Sequence, residues 1–136
     1  MQKLFIPFLI LLGLSSNLKA QRTTFTNQDT LRGSITPERE WWDLTYYHLN
    51  VKVNPEDSSF IGNNLIQYKV MDPKQTMQID LRPPMKITRI TQNGETLNFK
   101  KNGNAWFVKL KENQQTGDIK DLLVEFSGKP KVSKRP

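Results

Sequence analysis

Residues 45–70 read TYYHLNVKVNPEDSSFIGNNLIQYKV, and they decide the fold class because two alternating segments flank one polar turn. In the first segment, residues 45–53, apolar side chains alternate with polar ones, which is the period of a half-buried strand. The face expected to point inward carries Tyr47, Leu49, Val51 and Val53. Residues 54–57 form a turn cluster, and residues 60–70 form a second strand. Its expected inward set is Ile66, Tyr68 and Val70.

The rest of the chain alternates in the same way and predicts strands at residues 77–81, 86–92, 95–99, 105–110 and 118–126. Their expected inward positions are Met77, Ile79, Leu81, Trp106, Val108, Leu110, Leu122, Val124 and Phe126. Asn93-Gly94 and Asn102-Gly103 predict tight hairpins in which both turn residues have positive φ. Gly62 indicates a bulge or a close backbone approach.

The absence of any sustained helical period, together with short strands separated by turn residues, defines the fold class. We predict an all-β fold, an antiparallel β-sandwich or open sheet of about seven short strands. A jelly roll and an immunoglobulin-like topology are not separated by the pattern, although the Cys-Trp-Cys mark of antibody domains is missing.

The chain divides into four segments by composition. Residues 1–20 carry Lys3, an apolar run at 4–14 and Ala20, which predicts a cleaved signal peptide and a secreted or periplasmic protein. The run is too short to span a bilayer core of ~30 Å. Residues 21–40 are an extended, poorly ordered polar lead-in, residues 41–128 are the β-sandwich domain, and residues 129–136 are a basic tail or linker.

The formal charge of +7 does not indicate a nucleic-acid partner, because it is concentrated at the two ends. Lys3 and Lys19 lie in the signal peptide, and four more positive charges lie in residues 129–136. Residues 21–128 then hold 14 basic and 13 acidic side chains. The tail also lacks the aromatic residues on which single-stranded nucleic acids stack. Neither a nucleic-acid partner nor, after signal cleavage, a membrane is expected.

The sequence contains one histidine and no cysteine, so it contains no candidate metal or nucleophilic site. A zinc site of the H-E-x-x-H type needs two histidines, and His48 is expected to be a surface residue on the polar face of its strand. A serine triad is not supported either, because the serines are expected in loops and lack a nucleophile elbow. They are Ser34, Ser58, Ser59, Ser127 and Ser133. We therefore assign no catalytic, cofactor-binding or metal residue.

Paired carboxylates could in principle hydrolyse a glycoside, but the acidic residues fall in polar surroundings. The set expected to be solvated is Glu38, Glu40, Glu56, Asp57, Asp121 and Glu125. Asp80 lies between two apolar residues and would need a tyrosine or arginine partner if buried. Trp41-Trp42 could form a sugar-stacking platform or anchor the lead-in against the sheet, and the anchor is favoured.

Several segments together resemble the opening of secreted bacterial M1-family zinc aminopeptidases, over about residues 29–136. They are DTLRG at 29–33, TPER at 36–39, WWD at 41–43, YHL at 47–49, Ile61-Gly62, MQIDL at 77–81, the Asn93-Gly94 hairpin, WFV at 106–108 and FSGKP at 126–130. Each piece is common, but their order and spacing are specific.

The resemblance implies a β-rich amino-terminal domain that packs against a catalytic domain of the same polypeptide. In such a parent, zinc held by two histidines and a glutamate activates water to remove amino-terminal residues from peptides. The residues for this chemistry would lie beyond Pro136, so the resemblance implies a non-catalytic scaffold cut from a longer enzyme. The alternative is a stand-alone secreted carbohydrate-binding or adhesion module, which would expose a row formed by Trp41, Trp42 or Tyr46.

Overall fold

The computed structural model describes residues 24–131 of the 136-residue chain. The predicted signal peptide and residues 132–136 of the basic tail lie outside the described residues. The export signal therefore stays a prediction.

The described residues form one short helix followed by eight strands. Helix α1 spans Asn27–Gly33, and the strands are β1 Trp42–Asn54, β2 Ser59–Val70, β3 Thr76–Asp80, β4 Lys86–Gln92, β5 Glu95–Thr96, β6 Asn98–Asn102, β7 Ala105–Lys109 and β8 Ile119–Gly128. Every strand pair is antiparallel, so the predicted all-β antiparallel fold is confirmed. The segment predicted as one strand at residues 95–99 is instead two strands.

The strands form two sheets, a five-stranded sheet in the order β1-β2-β8-β4-β5 and a three-stranded sheet in the order β3-β7-β6. The chain passes from one sheet to the other at Leu97, which is buried and donates its N–H to the carbonyl of Ile90. This switch of sheets is why the predicted strand is divided.

The hydrophobic core lies between the two sheets. Most positions predicted to point inward are buried, namely Ile66, Tyr68, Val70, Met77, Trp106, Val108, Leu110, Leu122 and Val124. The other three inward residues predicted outside β1, Ile79, Leu81 and Phe126, are only partly buried. The alternation therefore identified the core of the sandwich.

The face of β1 that was predicted to be half buried is instead exposed. Tyr47, Leu49, Val51 and Val53 do share one face, since Tyr47 lies opposite the buried Ile66, but these four side chains are between 44% and 61% exposed. The physical reason is the difference in sheet width. A three-stranded sheet covers the middle of a five-stranded sheet and leaves the apolar face of the edge strand β1 uncovered.

The tight turns follow the predicted turn chemistry at one hairpin and differ at the other. Asn93 and Gly94 both have positive φ, 48° and 80°, as expected. In the second hairpin the turn residues are Gly103 and Asn104, and Gly103 alone of the two has positive φ. Glycine at the first turn position suits the other common two-residue hairpin, so the prediction of two positive φ values there is wrong.

The lead-in is not simply extended, because it contains α1 and packs against the three-stranded sheet. Thr26 caps the helix: its side chain accepts from the N–H of Asp29, and the Asp29 carboxylate accepts from the N–H of Thr26. Further along, the N–H of Gln78 in β3 donates to the carbonyl of Glu38. The lead-in thereby covers the edge of β3. Among residues 24–131, no helix has the length and apolar character needed to cross a bilayer.

Candidate functional site

The described residues form a groove of about 600 Å³ at the uncovered side of the sandwich. The inner face of the five-stranded sheet forms its floor, and β3 with the segment that follows forms one wall. Its apolar lining consists of Trp42, Leu44, Tyr47, Leu49, Ile66, Ile79, Leu81, Ile87, Val124 and Phe126. The register explains this lining, because Leu49, Asn64 and Val124 lie side by side on adjacent strands.

A few polar groups interrupt the apolar lining of the groove. Arg39 forms an ion pair with Asp80 at the rim, and Gln78 Nε2 donates to the other carboxylate oxygen of Asp80 at 3.0 Å. Burial, with a smaller contribution from the negative charge of Asp80, raises the pKa of Tyr47 above its ordinary value. Asn64 Oδ1 is buried and accepts no hydrogen bond from any residue in 24–131. The groove is therefore mainly apolar, its one positive and one negative side chain are paired, and the Asn64 carbonyl oxygen is its one unsatisfied acceptor.

This groove has the character of a contact surface and lacks that of a reaction centre. It contains no histidine, cysteine or serine among its lining residues, and its one arginine and one aspartate neutralise each other. An apolar surface that is exposed and rimmed by polar residues is typical of a binding or packing interface. Sequence alternation identified seven of the ten apolar lining residues but assigned them to the core; Trp42, Leu44 and Ile87 were not among its inward positions.

His48 lies on the exposed polar face of β1, as predicted. Its Nδ1 is 3.4 Å from the hydroxyl of Tyr46, and the two rings are 6.4 Å apart. The serines differ partly from expectation, because Ser59 begins β2 and Ser127 lies in β8. Ser34 and Ser58 are in loop segments, and Ser133 lies outside the described residues. None of the described serines is hydrogen-bonded to His48, whose Nδ1 contacts the hydroxyl of Tyr46 instead.

Acidic side chains are engaged in structural pairs on the surface. Glu125 accepts hydrogen bonds from Nε and Nη2 of Arg89, at 2.9 and 2.6 Å, and these hydrogen bonds lower the pKa of Glu125. In the β1–β2 turn, Asp57 accepts from the hydroxyl and N–H of Ser59, which lowers its pKa. Asp80 is exposed, so the burial for which a partner was required is not found, yet Asp80 forms an ion pair with Arg39. Each of these three acids therefore has a structural partner.

The tryptophan pair anchors the lead-in, as the sequence favoured. Trp41 is fully buried, its Nε1 donates to the carbonyl of Thr76 at 2.8 Å, and its ring meets Tyr68 edge-on at 6.0 Å. Trp42 is partly buried and donates to the carbonyl of Glu38 at 3.1 Å. A flat sugar platform built on Trp41 is therefore excluded.

Inside the core, Tyr68 belongs to a buried polar network. Its hydroxyl donates to Gln114 Oε1 and accepts from Gln92 Nε2, both at 3.0 Å. Burial raises the pKa of Tyr68 to about 12, the hydrogen bond from Gln92 partly opposes this shift, and the charges of Glu112 and Asp121 add to it. The network is structural, since all of its members lie between the sheets or beside them.

The raised pKa of Tyr68 predicts a loss of stability in alkali. Because an unfolded tyrosine ionises near pH ~10, the unfolded chain releases its proton first, and stability that is complete below pH ~10 falls as the pH rises towards about 12. We expect urea denaturation to show a loss of roughly 2–3 kcal/mol across that window. Tyr68→Phe should flatten this part of the profile, whereas Tyr46→Phe, at an exposed position, should not. An unchanged slope in Tyr68→Phe would contradict the assignment.

The residues that the structure describes do not form a zinc site. Within residues 24–131 there is no group of three or more histidine, cysteine, aspartate or glutamate side chains placed to hold a metal. The whole sequence has a single histidine, which is too few for H-E-x-x-H.

Comparison with solved structures places the fold among zinc metallopeptidase structures. A mutant of the M1 zinc metallopeptidase from Deinococcus radiodurans superposes with a TM-score of 0.61 at 18% sequence identity, over 73% of this chain and 23% of that chain. The M1 zinc metallopeptidase from the same organism without the mutation gives a TM-score of 0.61 at 18% identity over 71% and 22%. The mutant bound to a Tyr-Ser-Ala substrate gives 0.60 at 16% over 71% and 23%.

These likenesses establish the fold, an all-β arrangement that recurs within M1 zinc metallopeptidases. The chain spans under a quarter of the length of the structures it matches. No protein-family model matches the chain, and no curated protein matches it.

Proposed function

We propose that this chain is the non-catalytic amino-terminal scaffold domain of an exported M1-like zinc metalloaminopeptidase. The observation that carries the proposal is the fold likeness to a stretch covering 23% of an M1 zinc metallopeptidase chain. The ordered segments described above, from DTLRG to FSGKP, support the same family. In the parent enzyme, zinc would be held by residues outside this chain, and peptides would be the substrates.

The uncovered apolar face supports a role as a scaffold. Leu49, Val51 and Val53 are exposed on the inner side of the five-stranded sheet, where a second layer would bury them. β8 ends at Gly128, which lies opposite Phe60, and Phe60 lies opposite Val53. A polypeptide continuing from β8 would emerge beside this face. A domain that packs against another one commonly uses such an apolar surface.

Export is the second part of the proposal. Residues 1–20 have the order of a signal peptide, a positive residue, an apolar run and small residues before Ala20. The chain contains no cysteine, so in an exported protein it would depend on packing without disulfides. Mass spectrometry of the exported protein should give Gln21 as its first residue.

A comparison of this chain with the product of its complete reading frame tests the enzymatic part. We expect the 136-residue chain to bind no stoichiometric zinc and to leave an aminoacyl reporter intact. A longer product containing H-E-x-x-H should bind about one zinc and lose its turnover to a chelator. Near-stoichiometric zinc on this chain alone, or a full reading frame without zinc and turnover, would contradict the proposal.

Two matched substitutions test the scaffold role within the longer protein. Leu49 and Ile119 are each 61% exposed, but Leu49 lies on the uncovered inner face and Ile119, opposite Lys69, lies on the other face. Leu49→Lys is expected to lower the melting temperature of the longer protein, and Ile119→Lys to leave it nearly unchanged. Equal effects of the two changes would show that the inner face does not pack against another domain.

The alternative of a carbohydrate-binding or adhesion module is less well supported. It required an exposed row made by Trp41, Trp42 or Tyr46. Trp41 is buried in the core and Trp42 packs against it, so Tyr46 is the one exposed member. A single tyrosine beside His48 does not form a stacking platform.

A further inference from the structure

The edge strand β1 offers a second unpartnered surface, which is its backbone. β1 is 13 residues long, lies at the end of the five-stranded sheet, and among residues 24–131 is paired with β2 alone. A long edge strand presents a row of N–H and C=O groups to any other strand. Natural edges are usually blunted by proline or many charges, but β1 has no proline and only Asp43 and Lys52 as charged residues.

Exposed apolar side chains on both faces of β1 give this edge further surface that a second strand could bury. Leu44 and Leu49 are exposed on the inner face by 41% and 61%, and Tyr46 is exposed on the outer face by 51%. A strand placed beside β1 would cover part of these side chains as well as its backbone. The edge therefore has the properties of a site for strand addition.

We propose that β1 pairs antiparallel with β1 of a second copy of this chain. Such a pair is related by a twofold axis and joins two five-stranded sheets into one continuous sheet. Because residues directly opposite in an antiparallel ladder share a face, only registers that match inner with inner positions are allowed. The two longest registers that meet this condition are equal in length, one centred on His48 and the other on Leu49.

The charges on β1 select the register centred on His48. Thr45 is the extra residue of a bulge against β2, since Leu44 lies opposite Tyr68 and Tyr46 opposite Gln67. With that bulge retained, the His48 register places Asp43 opposite Lys52 of the second copy, at both ends of the ladder. Opposite charges in this position stabilise a strand pair.

The register centred on Leu49 lacks this complementarity. It places Asp43 opposite Asn54 and Lys52 opposite Tyr46 of the second copy. The His48 register also places Tyr47 opposite Leu49 and Leu44 opposite Val51, so that apolar side chains meet on the inner face. Self-pairing along β1 does not depend on the scaffold role proposed above.

Single-cysteine variants test the pairing, because the chain has no cysteine of its own. In the His48 register the two copies of residue 48 face each other with Cα atoms ~4.5–5.5 Å apart, which a disulfide can bridge. Residue 50 would be offset by about four positions, or roughly 13 Å, from its counterpart. We expect His48→Cys to form a covalent dimer under mild oxidation and Asn50→Cys to remain monomeric on a non-reducing gel.

The two variants control for each other. Both introduced thiols lie at exposed positions on the same face of β1, and both chains carry the apolar run at residues 4–14, so association through that run would not separate them. Equal cross-linking of both variants, or cross-linking of Leu49→Cys in place of His48→Cys, would overturn the proposed pairing.

Charge reversal gives an independent measurement by sedimentation equilibrium. Asp43→Lys places like charges opposite each other at both ends and is expected to raise the dimer dissociation constant about tenfold. The double change Asp43→Lys with Lys52→Asp is expected to restore it. A chain that is monomeric at every concentration would overturn the proposal and leave the edge of β1 to a strand from another polypeptide.

Discussion

Replacing Trp106 by alanine is expected to lower the free energy of unfolding by ~3–5 kcal/mol. Trp106 lies on the inner face of the three-stranded sheet and is 6% exposed. Its ring is 5.7 Å from that of Phe99, its Nε1 donates to the carbonyl of Leu81 at 3.1 Å, and Lys101 Nζ lies 5.1 Å from the ring centroid. Alanine leaves a cavity and an unpaired carbonyl, and the cost approaches the ~5–15 kcal/mol of a whole small domain.

Urea denaturation followed by circular dichroism measures this loss. Phe107→Ala is the matched control, because Phe107 is the next residue of β7, points to the opposite face and is only partly buried. Its substitution should cost clearly less. If the Trp106 variant unfolded at the same urea concentration as the parent chain, Trp106 would not be part of the core.

The sequence could predict the strands because a period of two is a local property. β4 has the predicted bounds, 86–92, and the inward sets of β2 and β7 are buried. The local pattern of a strand does not reveal whether a second sheet covers its apolar face. Val51 and Val53 alternate as regularly as Ile66 and Tyr68, yet they are exposed, because coverage depends on how many strands the second sheet contains.

The helix in the lead-in was missed for a related reason. α1 has seven residues and none of them is buried, so it has no apolar stripe that periodicity could detect. The available signal was the capping pair, Thr26 with an acidic residue three positions later, which stabilises a helix start without any burial. A polar composition alone therefore gave the wrong conformation for residues 27–33.

The groove could be foreseen only in part. Most of its apolar lining comes from positions that alternation identified, but Trp42, Leu44 and Ile87 do not, and its rim depends on the ion pair between Arg39 and Asp80, 41 residues apart in the sequence. No local pattern brings these two side chains together. The sequence required a partner for Asp80 only if the residue was buried, whereas Asp80 is exposed and pairs with Arg39 because the lead-in lies beside β3.

Trp41→Ala is expected to destabilise the chain by ~3–5 kcal/mol, and this change separates the two interpretations of the tryptophan pair. The side chain is fully buried, and its indole bonds to the carbonyl of Thr76. Its backbone carbonyl accepts from the N–H groups of Met71 and Asp72 at 2.7 and 3.1 Å, which join the lead-in to the end of β2. Loss of the ring opens the core next to Tyr68 and leaves the Thr76 carbonyl without its indole donor, while the backbone bonds of this junction are retained.

Trp42→Ala is the control, since Trp42 adjoins Trp41 but is only partly buried. Its removal should cost less than that of Trp41, because less apolar surface is lost from the interior. Thermal melts of both variants, combined with glycan-array binding, test the anchor directly. A Trp41 variant that melts with the parent chain while losing affinity for a sugar would contradict the anchor and support a carbohydrate module, because a stacking platform serves a ligand and leaves the folded core intact.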